Sequence, residues 1–403
     1  MFAGWGFDAY NPDYSHRGDF RLSATAPAPS STMTSFNPPE RLLVGPGPSN
    51  VDPRVVAAMS KPLLGHLDPV FWDELLVIAE MIGTVYGRTD GVSLCLSASG
   101  TSGMEAGFLN LVAPGDTVIA ASGGFFGNRI IEMLRRRGAN TIELTVPFGQ
   151  HVPNEQILDA LASHPEAVMA CVVYAETSTG VAHPLEQLGR AMRASGHDAL
   201  LYADCVTAIG GMPIEADSWG IDYAYACSQK CIAAPPGLSP ITISARAIER
   251  FGRDDMPVPY SLDITEHIKY WLERPITYHH TTPNLQYYAL GEALRIALEE
   301  GLEQRFARHA EAGAHLQAGF KERGFELLAD PACQLAQLTA VRVPEGIDGK
   351  AVQARLLQEH NIEVGGGLGP TAPPIWRIGM MGVNAKRETA DRVLAAFDDV
   401  LAG

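Results

Sequence analysis

Apolar residues recur along this chain in two rhythms. Short unbroken runs, "VSLCLS" (92–97), "TVIAAS" (117–122), "VMACVVY" (168–174), "ALLYAD" (199–204), "DYAYACS" (222–228) and "PITISA" (240–245), alternate with stretches of helical periodicity. An unbroken run of that length predicts a strand buried on both faces, and a repeat of three or four residues predicts an amphipathic helix. Their alternation predicts an α/β fold, a mainly parallel sheet sandwiched by helices. After "YHHTTPN" (278–284) a long helical stretch is expected over about 285–320, and "QLTAVRVP" with "IWRIGMMG" predicts a smaller C-terminal α/β domain. The expected division is a leader over residues 1–39, a large domain over 40–300 and a small domain over 301–403. The leader is rich in Pro, Ser, Thr and Ala without sustained periodicity, which predicts an extended or partly disordered segment. No internal repeat is visible.

Composition narrows the classes of partner. A net charge of −16 over 403 residues disfavours nucleic acid and anionic membrane, both of which need a basic footprint. Small molecules are the expected partners. No apolar run approaches the ~20 residues of a membrane span, and the N-terminus lacks a basic and an apolar region in series, so a cytoplasmic protein is expected. Four of the six cysteines, Cys95, Cys171, Cys205 and Cys227, lie in strand-like apolar runs where free thiols act as small hydrophobes. Cys227 and Cys231 flank Lys230 without the further ligands a tetrahedral zinc site requires, and no metal is expected there.

In open α/β sheets ligands bind beyond the carboxyl ends of the strands, and the residues found there are chemically coherent. "ASGTSGMEAGFLNLV" follows the 92–97 run and opens a helix with small residues, whose free amides suit a phosphate. A tight strand-to-helix turn explains those glycines equally well. Asp204 ends the 199–204 run; a helix cap or local turn bond is its plain alternative. Lys230 follows the 222–228 run in "CSQKCIAAPPG" and stands apart from the five other lysines, which sit in polar or amphipathic surroundings. A snorkelling lysine fits less well, since the residues after it offer no helical face to cover. An amine, a buried acid and a phosphate cup together meet the needs of pyridoxal phosphate: a Schiff-base partner, a partner for the pyridinium nitrogen and an anion site.

At this point the chain resembles the class V aminotransferases of fold type I, within them the alanine–glyoxylate (serine–pyruvate) group, over about residues 41–400. "LLVGPGPSNV", "AETSTG", "CSQK", "APPG", "YHHT", "VGGGLGP" and "WRIGMMG" carry the resemblance in order. It implies that Lys230 forms the Schiff base and Asp204 holds the pyridinium. It further implies that Ser99, Gly100, Thr101 and Gln229 hold the phosphate, that Phe126 stacks on the ring where an aromatic, often Trp, stands in the family, and that Thr177 bonds near the ring oxygen. Arg377 would clamp the substrate carboxylate, with Gly47 and Thr177 beside the substrate. An internal salt bridge is the alternative for Arg377, and a turn hydroxyl for Thr177. Tyr278 and Thr281 would reach the cofactor phosphate of a second subunit across a two-fold interface, implying an obligate homodimer. The plain alternative for "ITYHHTTPN" is a linker. Gln229 and Phe126 replace the histidines expected of a cysteine desulfurase, and no basic cluster marks a phosphoserine substrate. A non-catalytic pyridoxal sensor could dispense with Lys230 or Arg377, and this chain keeps both. The expected reaction is ping-pong transfer of an amino group from alanine, or serine, to glyoxylate, giving glycine and a 2-keto acid.

Overall fold

The computed structural model describes residues 36–253 and 255–402, so the expected leader falls outside the described residues except for 36–39. The seven main strands are β1 (Gly91–Leu96), β2 (Thr117–Ser122), β3 (Asn140–Thr145), β4 (Met169–Val173), β5 (Leu200–Asp204), β6 (Tyr223–Tyr225) and β7 (Ser239–Ser244). They form one sheet in the order β1-β7-β6-β5-β4-β2-β3. Only β7 runs antiparallel to its neighbours, with Ile241 opposite Leu94 on one side and Tyr225 on the other. All the other strands therefore point their carboxyl ends at one edge of the sheet. The unbroken apolar runs are explained by depth: every residue of β2, β5 and β7 is buried.

Three differences from the sequence pattern have physical causes. Strand β3 is partly exposed along its length and lies at the sheet edge, so it carries no apolar run. The run 222–228 stays in the sheet only through Tyr225, after which the chain turns away toward Lys230. The helical stretch expected over 285–320 is two helices, Asn284–Glu300 and Leu302–Glu322, separated at Gly301 with φ of 85°.

Helix α1 (Gly100–Leu111) is held against the sheet by close backbone approach. A Cβ on Gly107 would fall 2.5 Å from the Tyr223 ring and 2.6 Å from the Tyr202 ring, and one on Gly103 would fall 2.0 Å from Ser239 Oγ. Only hydrogen fits there. The tyrosine hydroxyls then bond to the helix itself, Tyr202 donating to Met104 O at 2.7 Å and Tyr223 to Gly103 O at 2.7 Å. These contacts fix the N-terminus of α1 at the carboxyl edge of the strands.

A second core surrounds β8 (Leu338–Arg342), β9 (Gly365–Gly366) and β10 (Ile375–Gly379), with β10 in the middle of their sheet. Trp376, Phe320, Phe397 and Val44 are buried in it. The segment Leu42–Leu43 pairs in parallel with Ile362–Glu363, so the chain lies against this second core there and then passes into the first. The passage crosses Pro46 and Gly47, which brings those residues between the two sheets' functional edges.

Candidate active site

Five of the parallel strands deliver a singled-out residue from their carboxyl ends: Ser99 to Thr101 after β1, Phe126 after β2, Thr177 after β4, Asp204 at the end of β5 and Lys230 after β6. Arg377 comes from β10 of the second sheet.

Lys230 is only 9% exposed. Its Nζ donates to the Pro46 carbonyl, and its backbone is tied to the same segment by Ser49, whose Oγ donates to Lys230 O at 2.9 Å. Gly47 must be glycine here. It has φ of 108°, and a Cβ would lie 2.6 to 2.8 Å from Lys230 Cδ, Cε and Nζ. Burial lowers the lysine pKa; the nearby Arg377 lowers it further, while Cys227, Cys231 and Asp204 oppose the shift. Those conditions favour a neutral, nucleophilic amine.

The two buried carboxylates are already engaged. Asp204 accepts from the Tyr225 hydroxyl and from Val206 N at 2.9 Å. Desolvation nevertheless raises its pKa to about 7 against those bonds. Glu176 accepts from Phe126 N at 3.1 Å, Gly127 N at 3.2 Å and Ser178 N at 2.9 Å, and also from Ser178 Oγ. Its pKa is raised by burial and opposed by the same donors. Glu176 thereby satisfies free amides in the first turn of α2 (Phe125–Arg137), the turn that carries Phe126.

Arg377 is 6% exposed and forms no salt bridge among the described residues. Nε donates to Gly366 O at 2.6 Å and Nη1 to Thr177 O at 3.2 Å, while Nη2 has no protein acceptor among the described residues. Burial pushes its pKa down to about 10, with Glu176 acting in the opposite direction from a distance. A desolvated guanidinium held by two carbonyls is prepared for a carboxylate supplied from outside.

Ser99 caps α1 by accepting from Ser102 N at 3.3 Å, and the turn abuts the lysine loop: a Cβ on Gly100 would come within 3.1 Å of Cys227 Cβ. Thr101 Oγ1 accepts from Arg129 Nη1 at 3.1 Å; the Arg129 guanidinium carbon also lies 5.0 Å from the centroid of the Phe126 ring. Thr177 is buried, its Oγ1 3.5 Å from that of Thr207. Gln229 adjoins Lys230, and its Oε1 is buried without a partner among the described residues. The helix N-terminus at Ser99–Thr101, the buried acid and the lysine, kept free of carboxylate contact among the described residues, fit a phosphorylated pyridoxal. Tyr278 and Thr281 do not join this group within the chain. Tyr278 is 54% exposed and packs beside His66, ring centroids 5.4 Å apart, and Thr281 is exposed.

Pro46, Ser49, Glu176, Tyr225 and Arg129 were not singled out from sequence. Glu176 had a signal, an acid inside the small-residue motif "AETSTG". Tyr225 had none beyond its place in an apolar strand.

A sheet of this order with a buried lysine beyond β6 defines a pyridoxal-phosphate enzyme of fold type I, and comparison with known proteins gives its family. The chain belongs to the class-V aminotransferases, whose family model matches residues 94–384. It is 36% identical to the alanine–glyoxylate aminotransferase of Rattus norvegicus, over 93% of this chain and 91% of that protein. It is equally 36% identical to the (S)-ureidoglycine–glyoxylate transaminase of Bacillus subtilis, over 90% of this chain and 91% of that one. The crystal structure of an alanine–glyoxylate aminotransferase from Nostoc sp. superposes with a TM-score of 0.88 at 42% identity, covering 92% of this chain and 97% of that one. The enzyme is an aminotransferase and pyridoxal phosphate is its cofactor. No helix among the described residues is long and apolar enough to cross a membrane, and all six cysteines are free and buried.

The Asp204 carboxyl yields a prediction with a definite sign. In the cofactor-free protein it keeps its proton up to about pH 7, whereas the unfolded chain releases it in the ordinary carboxylate range. The folded state thus binds the extra proton between those values, and stability falls as pH rises through that window. Asp204→Asn removes the ionisation. The variant without cofactor is expected to melt higher than the parent at pH 8, with the gain shrinking toward pH 5, as thermal scans across that range would show. A gain independent of pH would mean that Asp204 does not titrate as described.

Proposed function

We propose that this enzyme transfers the amino group of a small amino acid, alanine or serine, to glyoxylate, giving a 2-keto acid and glycine. The observation that carries the reading is Arg377: a buried guanidinium beside the lysine with no carboxylate paired to it among the described residues. It suits the α-carboxylate common to donor and acceptor. The names of the rat, Bacillus and Nostoc relatives support glyoxylate as the acceptor.

We assign the residue roles accordingly. Lys230 would hold the cofactor through Nζ, and its amine, whose basicity burial lowers, would take and return the proton on the substrate carbon next to the carboxylate. Asp204, fixed by Tyr225 and Val206, holds the proton on the cofactor's ring nitrogen. Ser99, Gly100, Thr101 and Gln229 hold the phosphate, and Phe126 and Thr177 hold the ring. Pyridoxal phosphate supplies the carbonyl carbon that carries the amino group between substrates and the ring that accepts electrons. Gly47 leaves room for the lysine to move, Arg377 orients the carboxylate, and Thr177 helps to fix Arg377 through its carbonyl.

A donor panel of alanine, serine and (S)-ureidoglycine against glyoxylate and pyruvate tests the assignment. Glyoxylate is expected to give the highest kcat/KM as acceptor, with alanine or serine the best donor; preference for the ureide donor or poor use of glyoxylate would overturn it. Arg377→Lys cannot reproduce two parallel bonds and is expected to lower kcat/KM for every carboxylate substrate about 10- to 100-fold while cofactor binding is kept. Unchanged values would make Arg377 structural.

We also infer a homodimer with shared sites. Tyr278 and Thr281 are exposed, and Tyr278 packs beside His66, whose chain neighbour Leu67 is also exposed, a surface that suits a second copy. Mixing inactive Lys230→Ala chains with chains carrying Tyr278→Phe and Thr281→Ala should restore activity, because one site of each hybrid collects both lesions and the other collects none. Verified hybrids without recovery would refute the shared site.

A further inference from the structure

Outside the lysine site, three histidines converge at the foot of the segment that carries Tyr278 and Thr281. His267 lies on the helix Ile264–Leu272, and His279 and His280 lie in the segment after it. Each offers one ring nitrogen, and the three nitrogens fall within 4.8 Å of one another. His267 is 2% and His279 6% exposed.

The outward bonds show which nitrogens are free to meet. His267 Nε2 lies 3.1 Å from Ser261 O, and His279 Nε2 lies 3.0 Å from Tyr260 O. A carbonyl only accepts, so each Nε2 carries the hydrogen and each Nδ1 carries a lone pair. The third ring, His280, places Nε2 2.7 Å from Ser97 Oγ. His279 Nδ1 and His280 Nδ1 are 2.7 Å apart and share one hydrogen, while His267 Nδ1 is buried with no partner among the described residues. A core histidine would be expected to satisfy both nitrogens. Here every Nε2 is anchored to an oxygen, and the lone pair of His267 Nδ1 is buried without a partner among the described residues. An anchored outer nitrogen is the usual support of a metal-ligating imidazole.

We propose that His267, His279 and His280 form a site for a borderline divalent transition metal of the zinc class, bound through the three Nδ1 atoms. Imidazole suits zinc, cobalt(II) and nickel(II), whereas magnesium and calcium require oxygen ligands. Metal–nitrogen bonds of ~2.0–2.1 Å in tetrahedral geometry need nitrogens about 3.3 Å apart, so the His279–His280 pair, now at 2.7 Å, opens by about 0.6 Å and the widest separation in the cluster, at most 4.8 Å, closes by up to about 1.5 Å. The hydrogen shared by that pair moves to His280 Nε2, where Ser97 Oγ accepts it; no proton has to leave the cluster. The fourth position falls to water or a small ligand. Bound there, the metal would join the helix Ile264–Leu272 to the Tyr278–Thr281 segment and, through His280 and Ser97, to the turn that starts α1.

The test uses untagged holoenzyme, stripped with a chelator, recharged with zinc and dialysed. Elemental analysis should return about one zinc per chain, and His267→Leu should weaken zinc binding by at least ~10-fold in a competition titration. A folded His267→Leu enzyme that binds zinc as the parent does would overturn the site. Should the variant fail to fold, zinc-edge anomalous diffraction from wild-type crystals decides: a peak bonded to the three Nδ1 atoms supports the proposal, and no peak there at saturating zinc refutes it.

Discussion

Two basic side chains are buried in one site, and among the described residues neither is paired with a carboxylate. Lys230 is held by the Pro46 carbonyl and Arg377 by the carbonyls of Gly366 and Thr177. The acids that could have neutralised them are committed elsewhere, Glu176 to backbone amides and Asp204 to Tyr225 and Val206. A buried cation without a counter-ion is costly, and that cost is lowered by losing the proton or by binding an anion. Lysine can take the first course and arginine, which keeps its charge, only the second. The same electrostatic constraint thus makes one side chain suited to act as a nucleophile and the other suited to clamp a carboxylate.

The fold sustains this arrangement by close packing of backbone rather than by charge. Gly103 and Gly107 let α1 settle on Tyr202 and Tyr223, and Gly47 lets the crossing segment lie on the lysine side chain. The tyrosine row does two jobs, since Tyr202 and Tyr223 hold the helix while Tyr225 holds the acid. Because the crossing segment also carries Leu42–Leu43 into contact with Ile362–Glu363, the position of Arg377 on the second sheet is mechanically tied to the lysine on the first.

Much of this was legible in the sequence, for identifiable reasons. The run 117–122 matched strand β2 because a strand buried on both faces needs apolar or small residues at each position. Lys230 could be picked out because nothing around it explains a surface lysine, and the resemblance then supplied the residues around the cofactor. Strand β3 was missed, since an edge strand tolerates polar residues, and the break at Gly301 was missed because helical periodicity continues on both sides of it. Glu176 escaped notice because its role is set by amides some fifty residues earlier in the chain. The histidine cluster was equally silent. A lone histidine on an amphipathic helix reads as a core residue until the fold brings His279 and His280 beside it.

The claim on which the whole account turns is that the one lysine withheld from solvent and from carboxylates is the one that carries the cofactor. Borohydride reduction of the holoenzyme followed by peptide mapping measures this directly. The account predicts that the pyridoxyl label is found on Lys230, in the peptide containing "CSQKCIAAPPG"; a label on any of the other five lysines would contradict it.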